Sequence, residues 1–458
     1  MMPSLFALDA TLHPEPELVA AWPRASEISF DPFTVRLSLR RATWSDGKPI
    51  TASDVRFSWE KLRGGPTGYR YSALADVKVI DARRLELRFD RVLRRWWSLF
   101  SIDDMVLPAH AYTDAWNRAP MVSGGPFVFE EWTPGLRVRM KRNERYWGAA
   151  APLAGIDVVF VPDDETRFQL MERGDLDAMF SEGESNLGRR SRAHGFPPRT
   201  GALQGDAGAS GAFGPTWFEL DLDAARLSAP VARAVVEAVH PTLVAEILED
   251  SARPLNAIQP DFSTKPDAFS PWRGRGSLTE ATALLAQGRV PGGAARAEFQ
   301  LVYPRTGAAG SIAAFIHFRL REIGITAELV GVQPDAFEEI WMPGDEAMAM
   351  LRLRRGADAP DAGSYASATD LPGAAPVDDQ VADAESQVSR ERLLRGAVTG
   401  LARDPWAAVE RGLVSASTVA PLAATRTWIV AREGVSGPRA LGASNGPLWN
   451  AGTWTMAS

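Results

Sequence analysis

From Asp31 to Trp44 apolar and polar residues alternate, with Phe33, Val35, Leu37 and Leu39 separated by Thr34, Arg36, Ser38 and Arg40. A period of two puts each set on its own face, so the pattern predicts a half-buried strand. Asp46-Gly47 supplies a tight turn. Thr51 then stands where it can cap a helix, Asp54 is at the third position, and Val55, Trp59 and Leu62 share one face before Gly64-Gly65-Pro66 ends it. Val77 and Val79, a turn near Ala82-Arg83, and Leu85, Leu87 and Phe89 predict a hairpin. A second hairpin is predicted between Pro126 and Met140 around Thr133-Pro134-Gly135. The apolar run Ile156 to Val161 predicts a buried strand, and Asp163 a cap for a helix reaching Gly174.

Further along, Ser181 to Gly214 turns Gly, Ser, Arg and Pro rich and predicts a loop or linker, with Arg189, Arg190 and Arg192 as solvated charge. Val231 to Asp250 predicts helix with a break at Pro241, Leu301 to Tyr303 a strand, Gly310 to Ile323 a helix, and Met348 to Leu353 a strand-like segment. Ala357 to Asp379 predicts a loop. Strands and helices mix throughout and no repeat of 20–50 residues is present, so the class is α/β or α+β.

At 458 residues the chain exceeds one ordinary core, which stops growing at roughly 250–300 residues, so two or more lobes are expected. The net charge of −7 disfavours a nucleic-acid partner, which needs a basic face. The lack of cysteine removes disulfides, thiolate metal sites and cysteine nucleophiles. No run of about 18 apolar residues is present to span a bilayer, and the first residues show neither the basic nor the apolar region of a secretory signal.

Catalytic signals are sparse. His13, His110, His194, His240 and His317 are scattered, and neither a Walker A loop nor G-x-G-x-x-G occurs. Asp163, Asp164 and Glu165 could hold a hard cation, but capping and the helix dipole account for acids at a helix start. Asp358 and Asp361 lie in an irregular loop after a strand, where binding groups concentrate, with an Asx turn as the alternative reading. Of fifteen tryptophans most should pack inward, while adjacent Trp96 and Trp97 cannot share a face of a regular element, so one could line a cleft.

Longer blocks add a resemblance. LRRATWSDGKPITASDVRFSWEKL (Leu39 to Leu62), VLPAHAY (Val106 to Tyr112), SGGPFVFEEWTPGLRVRMKRNERYWG (Ser123 to Gly148), ERGDLDAMF (Glu172 to Phe180), VARAVVEAVHPTLV (Val231 to Val244) and GADAPDAGSY (Gly356 to Tyr365) occur in that order. Together they resemble the peptide/nickel-type extracellular solute-binding proteins of ABC transporters, family 5, over nearly the whole chain. The resemblance implies an α/β, two-lobed periplasmic-binding-protein type II-like fold with an inserted subdomain. The first lobe would span 1–222, with the insert at about 30–120, the second 223–435, and 436–458 would return to the first.

It also implies a receptor without catalysis or cofactor, capturing peptides or a similar polar ligand by hinge closure. Partners would be the ligand and ABC permease subunits; the chain would be an extracytoplasmic monomer, tied to the membrane only through the permease or a missing lipid anchor. By that resemblance the chain looks N-terminally truncated. Asp358 stands where peptide-binding relatives hold the ligand's α-amino group, a charge-assisted contact. Arg355 replaces a tryptophan common in relatives and could neutralise Asp358 or meet an anionic ligand group; Asp361, followed by Ala362 rather than proline, is the third candidate. His240-Pro241 replaces an Asp-Arg pair, implying a local structural change. Two other readings remain open: a non-transport regulator of cell-envelope lipid or glycan assembly on the same scaffold, and an enzyme using Asp358 and Asp361 as paired carboxylates.

Overall fold

The computed structural model describes residues 2–9, 14–65, 68–91, 93, 96–101, 104–113, 116, 120, 122–182, 187–223, 227–255, 275–288, 299–305, 307–333, 349–355, 419–440 and 448–457, with the backbone alone at 69, 182, 214, 215, 299 and 353–355. A short pair, β1 (Phe6–Leu8) and β2 (Pro14–Pro16), precedes a four-stranded antiparallel sheet made of β3 (Ile28–Phe30), β4 (Phe33–Ser38), β5 (Leu74–Val79) and β6 (Arg84–Phe89), ordered β3-β4-β6-β5. The alternation read from the sequence is real: Phe33, Val35 and Leu37 are buried while Arg36 and Ser38 are exposed. Helix α1 (Ala52–Leu62) turns Val55 and Trp59 into the core they share. That core also takes Leu5, Phe6, Leu8, Leu18 and Val19, so the chain start packs with this sheet.

Trp96 and Trp97 both belong to this core, at 4% and 8% exposure, so neither lines a cleft. They sit in a single 3-10 turn, Trp96–Ser98, enclosed on all sides, where adjacent side chains diverge yet both find apolar neighbours. Trp96 meets Phe6 edge-on at 5.5 Å.

A three-stranded sheet follows, β7 (Phe127–Thr133), β8 (Arg137–Arg142) and β9 (Gly155–Val159). The expected buried strand at 156–161 is instead this sheet's edge: β9 pairs with β8, its residues alternate between exposed and half-buried, and Phe160 is 49% exposed. An apolar run alone does not reveal whether a second layer covers it. Helix α2 (Asp164–Glu172) begins as expected, with Asp163 Oδ1 accepting from Thr166 N at 2.8 Å.

Among the described residues of the expected linker at 181–214, helix and strand predominate. It holds the end of β10 (Ala178–Glu182), α3 (Leu187–Ala193), β11 (Pro198–Arg199) and the start of β12 (Gly208–Leu222). Its glycines serve close packing: a Cβ at Gly211 would strike the ring of Trp428 and the Arg426 stem. The arginines are not simply solvated either, since Arg190 lies over the Phe168 ring and reaches Asp164 at 3.4 Å.

Beyond β12 come α4 (Ala229–Ala238), α5 (Pro241–Ile247), β13 (Ala252–Pro254), α6 (Leu278–Leu285), β14 (Phe299–Pro304), α7 (Ala309–Glu322), β15 (Ala327–Val332) and β16 (Ala349–Arg355). The break between α4 and α5 falls at Pro241, and His240 caps α5 by accepting from Thr242 N at 3.2 Å. This is the local change implied by the His-Pro pair. The long strand β17 (Val419–Ala431) then returns, followed by the pair β18 (Val435–Ser436) and β19 (Thr455–Met456).

The largest sheet runs β10-β17-β12-β16-β14-β15, with β11 joined to β12 and β13 to β17. Two apolar clusters flank its middle. One holds Phe218, Leu220, Leu222, Ala420 and Leu422 with residues of α4, α5 and α7; the other holds Ala209, Trp428 and Val430 with Phe168, Met171 and Leu187. Both draw on β12 and β17, which pass from one cluster to the other. The closing segment packs back, as Ala451 and Trp454 join Phe127, Met140 and Ile429.

Candidate functional site

The two strands that cross between the clusters are antiparallel and locally irregular. Pairing runs from Gly208↔Ala431 to Phe213↔Arg426 and resumes at Trp217↔Ala424, so β12 advances four residues while β17 advances two. Such a bulge bends the strand and raises its twist. A second break lies opposite Pro421, which has no N–H to offer the ladder.

Arg355 sits at this crossing. Its Cα partner is Thr216, within the interval of the register break, and the Thr216 carbonyl accepts from Thr425 Oγ1 at 3.2 Å. Strand β16 therefore ends beside the crossing. Asp358 and Asp361, the other two residues expected at the site, lie outside the described residues, as does the side chain of Arg355.

The opposite edge of the crossing is built from residues that sequence reasoning passed over. Strand β13 pairs with β17 through Ala252↔Thr425 and Arg253↔Ala424. Phe213, Arg253 and Arg426 thus meet on one face: the Arg426 guanidinium lies 4.1 Å and that of Arg253 5.0 Å from the Phe213 ring centroid. Arg426 also lies 5.1 Å from the Trp428 ring, and both cover Gly211. Burial pushes the Arg426 pKa down; Asp250 opposes this and Arg253 adds to it. One signal was available in the sequence, since Arg426 is the single charge in the apolar strand Val419–Ala431.

From the α3 side, Leu187 N donates to Ser251 Oγ at 3.2 Å and Arg189 pairs with Glu249 at 3.2 Å, joining α3 to the 3-10 turn Glu249–Ser251. Gly188 leaves room for Asp250 and Trp428, both of which a Cβ there would strike. Further along β12, Trp217 Nε1 donates to Glu219 at 2.9 Å and Arg352 pairs with Asp221 at 2.9 Å, all buried. The acids at the start of α2 act as cap and ion-pair acceptor: Asp164 takes Arg167 at 2.7 Å. Among the described residues no group of three or more acids or histidines could hold a metal, and no helix is long and apolar enough to cross a membrane.

A fold in which two strands carry the chain between two packed bodies defines the class of two-lobed binding proteins. The chain belongs to the bacterial extracellular solute-binding proteins of family 5, whose sequence model matches residues 13–375. It is 30% identical over 169 residues to the peptidoglycan-binding protein YepA of Agrobacterium fabrum, covering 34% of this chain and 27% of that protein. The matched stretch is thus well under two thirds of that relative's length. The fold is similar to that of the periplasmic EDTA-binding protein EppA, with a TM-score of 0.78, 18% identity and coverage of 100% of this chain and 91% of that one. It is also similar to the oligopeptide-binding protein AppA from Bacillus subtilis in complex with a nonapeptide, with a TM-score of 0.77, 15% identity and coverage of 100% and 93%. This two-lobed α/β fold of the periplasmic-binding-protein type, expected from the sequence blocks, is shared along the whole chain.

Proposed function

We propose that this chain is the solute receptor of an ABC importer and captures a peptide or similarly sized polar ligand by closing its lobes about the β12–β17 crossing. The observation that carries this reading is the crossing itself: β12 and β17 run between two separately packed clusters, and their register breaks on the way. A bulged pair of strands lets packed bodies rotate without breaking either core. Ligand contacting both lobes only when they are shut stabilises the closed state by its differential affinity, and the permease reads that state. In this reading the lobe limits fall at the register break, near 213–217 and 424–426, rather than at 222/223 and 435/436, and the receptor acts outside the cytoplasmic membrane and without catalysis.

Similar proteins bind EDTA, a nonapeptide and peptidoglycan, so the fold by itself fixes neither the size nor the chemistry of the ligand. Two of those three ligands contain peptide, which supports a peptide-bearing solute. Asp358 is the group we assign to a ligand ammonium, with Arg355 and Asp361 as further ligand groups; the pairing of Arg355 with Thr216 at the crossing favours this.

Native mass spectrometry of the purified chain, followed by denaturing release, tests the reading. Co-purified short peptides or a single polar solute that Asp358→Ala no longer retains is the expected result. Retention of the same molecule by Asp358→Ala would remove that residue from the site.

A further inference from the structure

Resting on the receptor reading, we propose that Arg426, Arg253 and Phe213 form an anion subsite at the crossing, which takes one carboxylate or phosphate group of the ligand. The three are cross-strand neighbours: Phe213 is paired with Arg426, and Arg253 with Ala424 two residues before it. Two guanidinium groups held over one aromatic ring concentrate positive charge where the strands pass between lobes.

Arg426 is half-buried, its Nε is shielded from solvent with no hydrogen-bond partner, and no carboxylate forms an ion pair with it among the described residues. Asp250 acts on it electrostatically without closing to a salt bridge. A shielded guanidinium N–H left unmatched costs free energy, and so does a like charge nearby, so an anion placed between the two arginines relieves both. The site requires only the charge of Arg253, whereas Arg426 supplies the donor.

The surroundings hold this arrangement in place. Gly211 gives the Arg426 stem and the Trp428 ring a flat bed that any Cβ would obstruct. Stacking on Phe213 fixes the guanidinium plane, which suits the two-oxygen edge of a carboxylate or phosphate. Leu187 of α3 belongs to one cluster and Ala252 of β13 packs against the other, and α3 is tied to the turn before β13, so the subsite lies where the two clusters adjoin. Its binding is therefore coupled to the relative position of the lobes.

The test is a thermal-unfolding titration with inorganic phosphate, and separately acetate, against chloride at constant ionic strength. The wild type should show a saturable rise with phosphate or acetate. Arg426→Gln and Arg253→Gln should weaken the apparent affinity about tenfold or more, while Arg56→Gln on α1 leaves it unchanged. Arg426→Lys keeps the charge and the stem over Gly211 and serves if the glutamine variant does not fold; it should bind several-fold more weakly because the planar fork is lost. No saturable response in the wild type, or equal affinity in the Arg426 variants, overturns the subsite. Small-angle scattering of the same proteins with the co-purified solute separates the two readings. Compaction with unchanged solute affinity in Arg426→Gln leaves the receptor and removes the subsite; no compaction in any sample removes the receptor reading and the subsite with it.

Discussion

Glu17 shows how one residue can carry a pH dependence that no sequence pattern announces. Its carboxylate accepts from Ser4 N at 2.9 Å, and burial, opposed by that bond and by Arg40, raises its pKa from 4.5 to about 7. The folded form therefore holds a proton that the unfolded chain has released, so this group's contribution to stability is full below pH 4.5 and is lost as pH rises to about 7. Glu17→Gln should be near neutral at pH 5 and stabilising by roughly 1–2 kcal/mol at pH 8, read from urea unfolding at both pH values. A rise of equal size at both would show that the charge is not the cause. Arg70 and Asp104 make the complementary case: their 2.9 Å pair is almost wholly buried. Asp104→Ala should cost about 3–5 kcal/mol, because it leaves a guanidinium uncompensated inside the core. Neither residue stood out in the sequence, since burial is a property of what surrounds a side chain.

At the scale of the element, α1 was legible almost in full. Its cap, its apolar face and its stop all lie within one turn of the expected positions, because each depends on neighbours close in sequence. What the sequence did not show is a second task for the cap. Thr51 N and Thr51 Oγ1 both donate to Asp54 Oδ2, at 2.8 and 3.0 Å, while Asp54 Oδ1 accepts from Ala109 N at 3.0 Å. Ser58 Oγ likewise accepts from Leu107 N at 2.7 Å. The helix start thus anchors a segment some fifty residues later in the chain. Thr51→Ala should cost about 1 kcal/mol, as for an ordinary cap. Asp54→Ala should cost roughly 2–3 kcal/mol, since charged hydrogen bonds to distant backbone go with it. Chemical denaturation of both variants decides; equal losses would mean that Asp54 only caps. By contrast β9 and the 181–214 segment were misjudged for one shared reason. A strand's burial, and a glycine's place in a strand, depend on which layer lies against it.

For the molecule as a whole, the crossing of β12 and β17 is the feature on which the proposed closure turns. The Arg189–Glu249 pair across it is exposed and should contribute under 1 kcal/mol, so it does not lock the lobes. Since the chain has no cysteine, dyes can be placed cleanly at Lys78→Cys and Glu328→Cys, both exposed and carried by different sheets. Energy transfer between them should increase on addition of the solute identified by mass spectrometry. A transfer efficiency that stays constant while solute binds would exclude closure.

The sequence by itself determined the local elements, the order of the family blocks and hence the two-lobed class, because caps, turns and alternation act over a few residues and long ordered motifs accumulate. It also offered the segment after β16 as a binding loop; the backbone of Arg355 pairs with Thr216 at the crossing, and the residues that follow lie outside the described ones. Only the tertiary structure decided that Phe213, Arg253 and Arg426 share a face. Arg253 and Arg426 lie far apart in sequence, and their meeting depends on the β12–β17–β13 register. Register across distant strands is set by the packing of whole faces, and no window of neighbouring residues contains it.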